Sequence, residues 1–225
     1  DTPRLRDLTS SLAGSGAASS LTEKDMHDIK NLPHVTAVAP IMLISGGATA
    51  GDNNPSDVTI VATTPDLPTV TNLPLSDGQF IDSVTNNDTA VVGSQLAINL
   101  FGTDEAMGRT FRTHGTSFTV IGVLKPLGNP INYNNVDFDN AAIISLTSGK
   151  AFNQGVASIQ QLTIKTDSTA NLPGVVAGAS KILTANHSGE KDFTVLSGDT
   201  LAKPSNELIS TITATAEGGR GMDAQ

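Results

Sequence analysis

Cysteine and tryptophan are absent from the 225 residues, and tyrosine occurs once, at Tyr133. Without cysteine the chain can form neither a disulfide framework nor a thiolate metal site. Aromatic residues make up only 4%, so any core must be assembled from Val, Ile, Leu and Ala. The 38% hydrophobic content suffices for a lean core in one large domain or two small ones. No apolar run approaches the ~18–20 residues needed to span a bilayer. The opening Asp1-Thr2-Pro3-Arg4 has no signal-peptide character, as expected of an excised soluble piece or a mature form. Arginine is scarce. Arg4, Arg6, Arg109, Arg112 and Arg220 form no stripe, and 22 acidic against 13 basic residues leave a formal charge of −9. Such a chain cannot readily neutralise phosphates, which argues against a nucleic-acid partner. The acidic surface itself speaks mainly for solubility.

What is present is patterned. Residues 1–20 are small and polar and read as a flexible lead-in. Thr22 with Asp25 three positions later forms a capping-box signature, and Met26, Ile29 and Leu32 continue at helical spacing until Pro33. Strands are expected from His34 to about Ile44 and from Val58 to Ala62, followed by a turn-rich stretch. Thr89–Val92 reads as a short buried strand, Ser94 as the N-cap of a helix carrying Ala97, Leu100 and Phe101, and Gly102 as its left-handed C-terminal residue. Arg109–Thr113 and Ser117–Leu124 pair as a hairpin around His114-Gly115, and Ala141–Ile144 is a further strand. The last third predicts a strand with Leu162 and Ile164 on one face. A helix capped by Asn171 with Pro173 in its first turn follows, then a strand at Phe193–Leu196 and a final helix around Asn206–Ala216. The strand–helix–strand run argues for a mixed α/β sheet.

Residues of catalytic type are scattered. His27, His34, His114 and His187 show no metal-binding spacing and read as ordinary surface or half-buried histidines. Asn132, Asn134, Asn135, Asp137 and Asp139 supply oxygens at calcium-loop intervals, but the loop lacks the required Gly and the closing Glu, so a solvated polar loop is the better reading. Gly93-Ser94 sits between strand and helix, as a nucleophile elbow does. Val92 and Leu96, however, occupy the positions where that motif needs glycine. The same turn lacks the Lys-Ser/Thr pair and the glycine spacing of a phosphate loop. Asn87-Asp88-Thr89 and Asn186-His187-Ser188 match the glycosylation sequon, a pattern short enough to arise by chance. No catalytic, cofactor-binding or metal residue is therefore assigned.

The stretch TAVVGSQLAINLFGTDEAMGRTFRTHGTSFTVIGVL carries a resemblance. It is similar to the signature of the MacB-like periplasmic core domain of ABC-transporter permeases of the MacB, FtsX and LolC type. The matching elements are Val91, Val92 and Gly93; Leu100, Phe101 and Gly102; Gly108 and Arg109; and Phe118 through Leu124. LTEKDMHDIKNLPHVTAVAPIM, VATTPDLPTV and LSDGQFI resemble the family's flanking segments, with Gln79 where arginine is usual, and FTVLSGDTLAKPSNELISTI its closing part. These are turn and packing positions, so they identify a fold without supplying chemistry.

The resemblance implies an α+β fold. A Porter-like subdomain would comprise residues 21–74 and 151–216, a mostly-β Sabre-like subdomain 75–150 would be inserted in it, and 217–225 would be a tail. It implies an extracytoplasmic, membrane-anchored domain that couples cytoplasmic ATP hydrolysis to export or to an envelope partner, with no cofactor and no catalysis of its own. Its implied partners are a second permease protomer, a cytoplasmic ATPase subunit or domain acting through the membrane part, and an envelope adaptor protein or exported substrate. Two other classes compete: a cell-envelope solute-binding or adhesion module, and a secreted hydrolase. The permease reading expects the gene to encode an apolar stretch of ~20 residues just before Asp1 and several beyond Gln225.

Overall fold

The computed structural model describes residues 21–82, 88–127, 136–189, 193–198 and 211–216. In chain order the elements are α1 (Glu23–Lys30), β1 (Val35–Gly46), β2 (Val58–Thr63), α2 (Leu67–Val70), β3 (Leu75–Gly78), β4 (Thr89–Val92), α3 (Ser94–Phe101), β5 (Thr110–Thr113), β6 (Thr116–Leu124), β7 (Ala141–Ser145), α4 (Leu146–Ala151), β8 (Gln161–Thr166), α5 (Leu172–Asn186), β9 (Phe193–Gly198) and β10 (Thr211–Ala216). They fall into two compact units: Asp1–Pro40 with Val156–Gln225, and Ile41–Gly155.

In the first unit the expected capping box forms. Thr22 Oγ1 accepts the Asp25 N–H at 3.1 Å, and Asp25 Oδ2 accepts the Thr22 N–H at 2.9 Å. The chain entering α1 is held by two main-chain hydrogen bonds between Leu21 and Ile159, at 2.8 and 3.1 Å. Strands lie in the order β1, β8, β10, β9. β8 and β9 both run antiparallel to β10 and therefore parallel to each other, so α5 completes a split β-α-β unit. Val175, Ala179 and Leu183 line up at intervals of four and are buried, as one helix face packed on a sheet requires. Gly178 lets Leu32 approach: a Cβ there would stand 3.1 Å from Leu32 Cδ2.

The second unit has the strand order β3, β6, β4, β7, β2, then the second half of β1, with β5 also paired to β6. β2 runs parallel to β7 and β4 parallel to β6, while β4 and β7 are antiparallel. The β5–β6 hairpin turns at His114 and Gly115, with φ of 48° and 76°, the two successive positive values that a two-residue hairpin turn demands. Along β6, buried Phe118 and Val120 alternate with more open neighbours, but Gly122, Val123 and Leu124 are all buried. The change coincides with a register shift: Ala90 faces Val120 and Val91 faces Gly122, leaving Ile121 as an extra residue, as in a β-bulge. The small aromatic content is concentrated here. Phe111 stacks on Phe118 at 5.7 Å, and Phe152 meets Phe118 edge-on at 6.1 Å.

Several sequence expectations give way. Thr211–Ala216 is a strand and not the end of a helix. Thr211, Ile212, Thr213 and Thr215 are β-branched, and the segment gains ladders on both sides, which outweighs the helical spacing of its apolar residues. Residues 206–210 lie outside the described residues, as do 1–20 and 217–225. Ser94 is not the N-cap of α3. Gly93 holds that position, and Ser94 is the first helical residue and is buried. Asn171 occupies the N-cap position of α5 without capping it. Its amide donates instead to Asp167 Oδ1 at 2.7 Å and Ser168 Oγ at 3.0 Å. The compact units themselves divide after Pro40 and after Gly155, with residues 41–74 in the same unit as the central segment. The reason lies in pairing: β2 is bonded to β7 on one side and to Met42–Gly46 on the other.

A Cβ on Gly93 would overlap the carbonyl oxygens of Phe138 and Asp139, whereas one on Gly174, inside α5, would meet nothing within 4 Å. Gly93→Ala is expected to cost about 2–3 kcal/mol. Gly174→Ala is expected to add about 0.5 kcal/mol through helix propensity. Urea denaturation of the two variants checks both signs.

Candidate functional site

The histidines do not converge. His27 is exposed, with its Nε2 3.3 Å from the Asn31 amide. His34 pairs with Asp167, Nδ1 to Oδ2, at 2.8 Å. His114 lies 3.1 Å from the Ser45 carbonyl oxygen and stacks on Phe152. Among the described residues no group of three or more His, Asp or Glu side chains is placed to hold a metal ion. Asp137 and Asp139 direct their carboxylates to main-chain donors: Asp137 Oδ1 accepts the Asp139 N–H within the turn, and Asp139 Oδ1 accepts the N–H of Leu127, twelve residues earlier. Asn132, Asn134 and Asn135 lie outside the described residues. Ser94 is buried in the first turn of α3, with no histidine bonded to it. Of the sequon asparagines, Asn87 is outside the described residues, and the Asn186 amide is engaged within the first unit.

That engagement builds a polar cluster no sequence motif announced. The Asp25 side chain is fully buried, yet it receives three donors: the Thr22 N–H, the Asn186 amide at 3.0 Å and His187 Nε2 at 2.7 Å. Asn186 also donates to Asp28 Oδ2 at 3.0 Å, and Lys24 Nζ reaches Asp28 Oδ2 at 2.7 Å and Asn186 Oδ1 at 3.0 Å. The His187 ring meets Phe193 edge-on at 5.8 Å. A buried carboxylate is tolerable only when fully hydrogen-bonded, so the cluster fixes the start of α1 against the end of α5. In sequence Asp25 shows itself only as a capping residue. Its further partners are more than 150 positions away.

In the second unit an open depression of about 620 Å³ is lined by the turn Ala50–Asn53, by Leu100 and Phe101 at the end of α3, and by Gly108–Thr110. Asn53 Nδ2 donates to the Leu100 carbonyl at 2.9 Å, satisfying a last-turn acceptor of the helix. The Arg109 guanidinium lies over the Phe101 ring, 5.9 Å from its centroid, within cation–π range. Phe101 is half-buried, whereas Leu100 is buried. The concavity offers the Asp52 carboxylate, the Arg109 guanidinium and an apolar wall of Leu100 and Phe101. It is suited to binding.

A strand-rich central unit encoded between the two segments of an α/β unit is the fold of solved extracytoplasmic domains of ABC transporters. The extracellular domain of the noncanonic ABC-type transporter YknZ from Gram-positive bacteria superposes with a TM-score of 0.65 at 19% identity, covering 79% of this chain and 89% of that one. The periplasmic region of MacB from Actinobacillus actinomycetemcomitans gives 0.66 at 13% identity, covering 92% and 85%. The sequence matches the MacB-like periplasmic core domain over residues 3–182, and the chain belongs to that family. Among full-length relatives, the macrolide export ATP-binding/permease protein MacB of Rhodospirillum rubrum is 28% identical over 204 residues, covering 88% of this chain and 31% of that protein. The protein of the same name from Wolinella succinogenes is 25% identical over 197 residues, covering 86% and 30%. The chain thus spans about three-tenths of the length of these relatives. No helix among the described residues is long and apolar enough to cross a membrane.

Asp25→Ala would strand three donors at a fully buried position and is expected to cost about 2–4 kcal/mol in thermal or urea unfolding. The surface carboxylates set a pH dependence. Lys24, and then Asn186, hold the Asp28 carboxyl below its ordinary value of 3.8, and His34, and then Asn171, do the same for Asp167. A carboxyl lowered on folding contributes stability above its unfolded pKa and loses it as pH falls through the lower folded value. Solvent screening keeps the effect small. Circular dichroism below about pH 4 should show a shallower acid-unfolding limb in Asp28→Asn and Asp167→Asn than in the parent.

Proposed function

We propose that this chain is the extracytoplasmic domain of an ABC-transporter permease and couples ATP-driven movement elsewhere in the transporter to an envelope partner or an exported substrate, with no catalysis of its own. Family membership over residues 3–182 carries the reading. The relatives are named as combined ATP-binding and permease proteins, and the chain matches less than a third of their length. ATP binding and hydrolysis belong to another subunit or domain under this proposal, and a second permease protomer and a membrane part complete the assembly. We assign the first unit, with its split β-α-β sheet, to the Porter-like part and the strand-rich second unit to the Sabre-like part. The rigid closure of α1 on α5 suits a module that must pass on displacement without absorbing it.

The absence of cysteine makes the topology directly testable. Glu105→Cys places one thiol at an exposed position in a full-length permease freed of any other cysteines. A membrane-impermeant maleimide added to intact cells, with the outer membrane permeabilised where one exists, is expected to label it fully. Labelling only after the inner membrane is broken would refute the proposal.

A further inference from the structure

The depression in the second unit is lined by two opposite charges, Asp52 and Arg109, and each is carried on a main chain that is fixed in place. Ala50 and Asn53 exchange two main-chain hydrogen bonds of 3.0 Å, with Gly51 first in the turn between them at a φ of 58°, as a tight two-residue turn allows. Asn53 pins that turn to the Leu100 carbonyl. Thr49, just before it, exchanges two hydrogen bonds of 2.8 Å with Arg112 of β5. On the facing segment the Gly108 N–H donates to the Val120 carbonyl at 2.9 Å, and the Val120 N–H donates to the Arg109 carbonyl at 2.8 Å.

Both charged side chains are exposed. Among the described residues no ion pair joins them to each other or to a third group. The guanidinium is supported instead by the Phe101 ring. A Cβ on Gly51 or on Gly108 would meet nothing within 4 Å, so there is room beside each charge. The concavity therefore presents an acceptor for a cation, a planar donor for an anion and the apolar surface of Leu100 and Phe101. A purely anionic ligand at Arg109 would meet the Asp52 carboxylate, and a purely cationic one at Asp52 would meet the guanidinium. Like charges so placed repel. A ligand bearing both charges satisfies both groups.

We propose that the depression binds an α-amino acid with a large aliphatic side chain. The three substituents on its α-carbon match the three features of the lining. The ammonium pairs with Asp52, the carboxylate pairs with Arg109, and the side chain covers Leu100 and Phe101. The inference goes beyond the permease reading, which names no ligand, and does not depend on it.

The test is a titration of the 15N-labelled 225-residue chain with L-leucine, read at the amides of Gly51, Gly108 and Thr110. Saturable shifts are expected within about 20 mM ligand. N-acetyl-leucine lacks the ammonium, leucinamide lacks the carboxylate and glycine lacks the aliphatic side chain. Each is expected to bind roughly fivefold more weakly, or worse. Asp52→Asn should weaken leucine by a similar factor without weakening N-acetyl-leucine further. Arg109→Gln should do the same for leucine against leucinamide. Each variant removes the partner that the blocked ligand has already lost. Both positions are exposed, so the remaining signals should stay in place and show that the variants are folded. No saturable shift at that concentration would overturn the proposal. So would N-acetyl-leucine binding as tightly as leucine, which would reduce the site to an anion contact at Arg109. An equal loss for leucine and N-acetyl-leucine in Asp52→Asn would overturn it as well. None of these outcomes bears on the maleimide result, so the permease reading stands or falls separately.

Discussion

At three glycines of the second unit the main chain approaches its neighbours more closely than any side chain permits. At Gly93 the turn from β4 into α3 passes beneath the carbonyls of Phe138 and Asp139. At Gly122 the bulged β6 passes beneath the carbonyl of Gln79, and at Gly149 the middle of α4 rests on the Ala62 methyl group. A Cβ at Gly93 or Gly122 would overlap a carbonyl oxygen, and one at Gly149 would overlap the Ala62 methyl group. With aromatics at 4%, the core has little bulk with which to fill wider gaps, so tight spacing and small aliphatic side chains require each other. The stacked Phe111 and Phe118, with Phe152 edge-on to Phe118, supply its larger rings.

The first unit solves its closure differently. Its helices meet through a buried carboxylate whose hydrogen bonds are supplied from both ends: the α1 cap on one side, Asn186 and His187 on the other. A polar junction of this kind has a defined geometry, whereas an aliphatic contact tolerates sliding. Together with the Leu21–Ile159 hydrogen bonds, it fixes where the incoming chain joins the domain. For a module proposed to relay motion, that junction lies where stiffness matters most.

Features with local causes could be read from the sequence. The capping box at Thr22 and Asp25, the left-handed Gly102, the His114-Gly115 turn and the periodic face of α5 all follow from residues within a few positions of one another. What escaped the reading has distant causes. β10 exists because β8 and β9 offer it partners on both sides, and nothing within Thr211–Ala216 reveals them. The boundary at Pro40 follows from β2 choosing β7 across some 80 residues of chain. The candidate site divides in the same way. Gly108 and Arg109 were visible as a hairpin opening, but the meeting of Arg109 with Phe101, and of both with Ala50–Asn53, is a product of tertiary structure. The sequence likewise contains Asp25, Asn186 and His187 without any hint that they touch.

The account treats the chain as a relay between an energy source and a partner, and a relay has to move. Spin labels at Glu105→Cys in both copies of a dimeric full-length permease in lipid vesicles would report that movement as the distance between them. The account predicts that the distribution shifts between the nucleotide-free and ATP-bound states, while two labels within the first unit keep one distance throughout. Identical inter-copy distributions in the two states would contradict it.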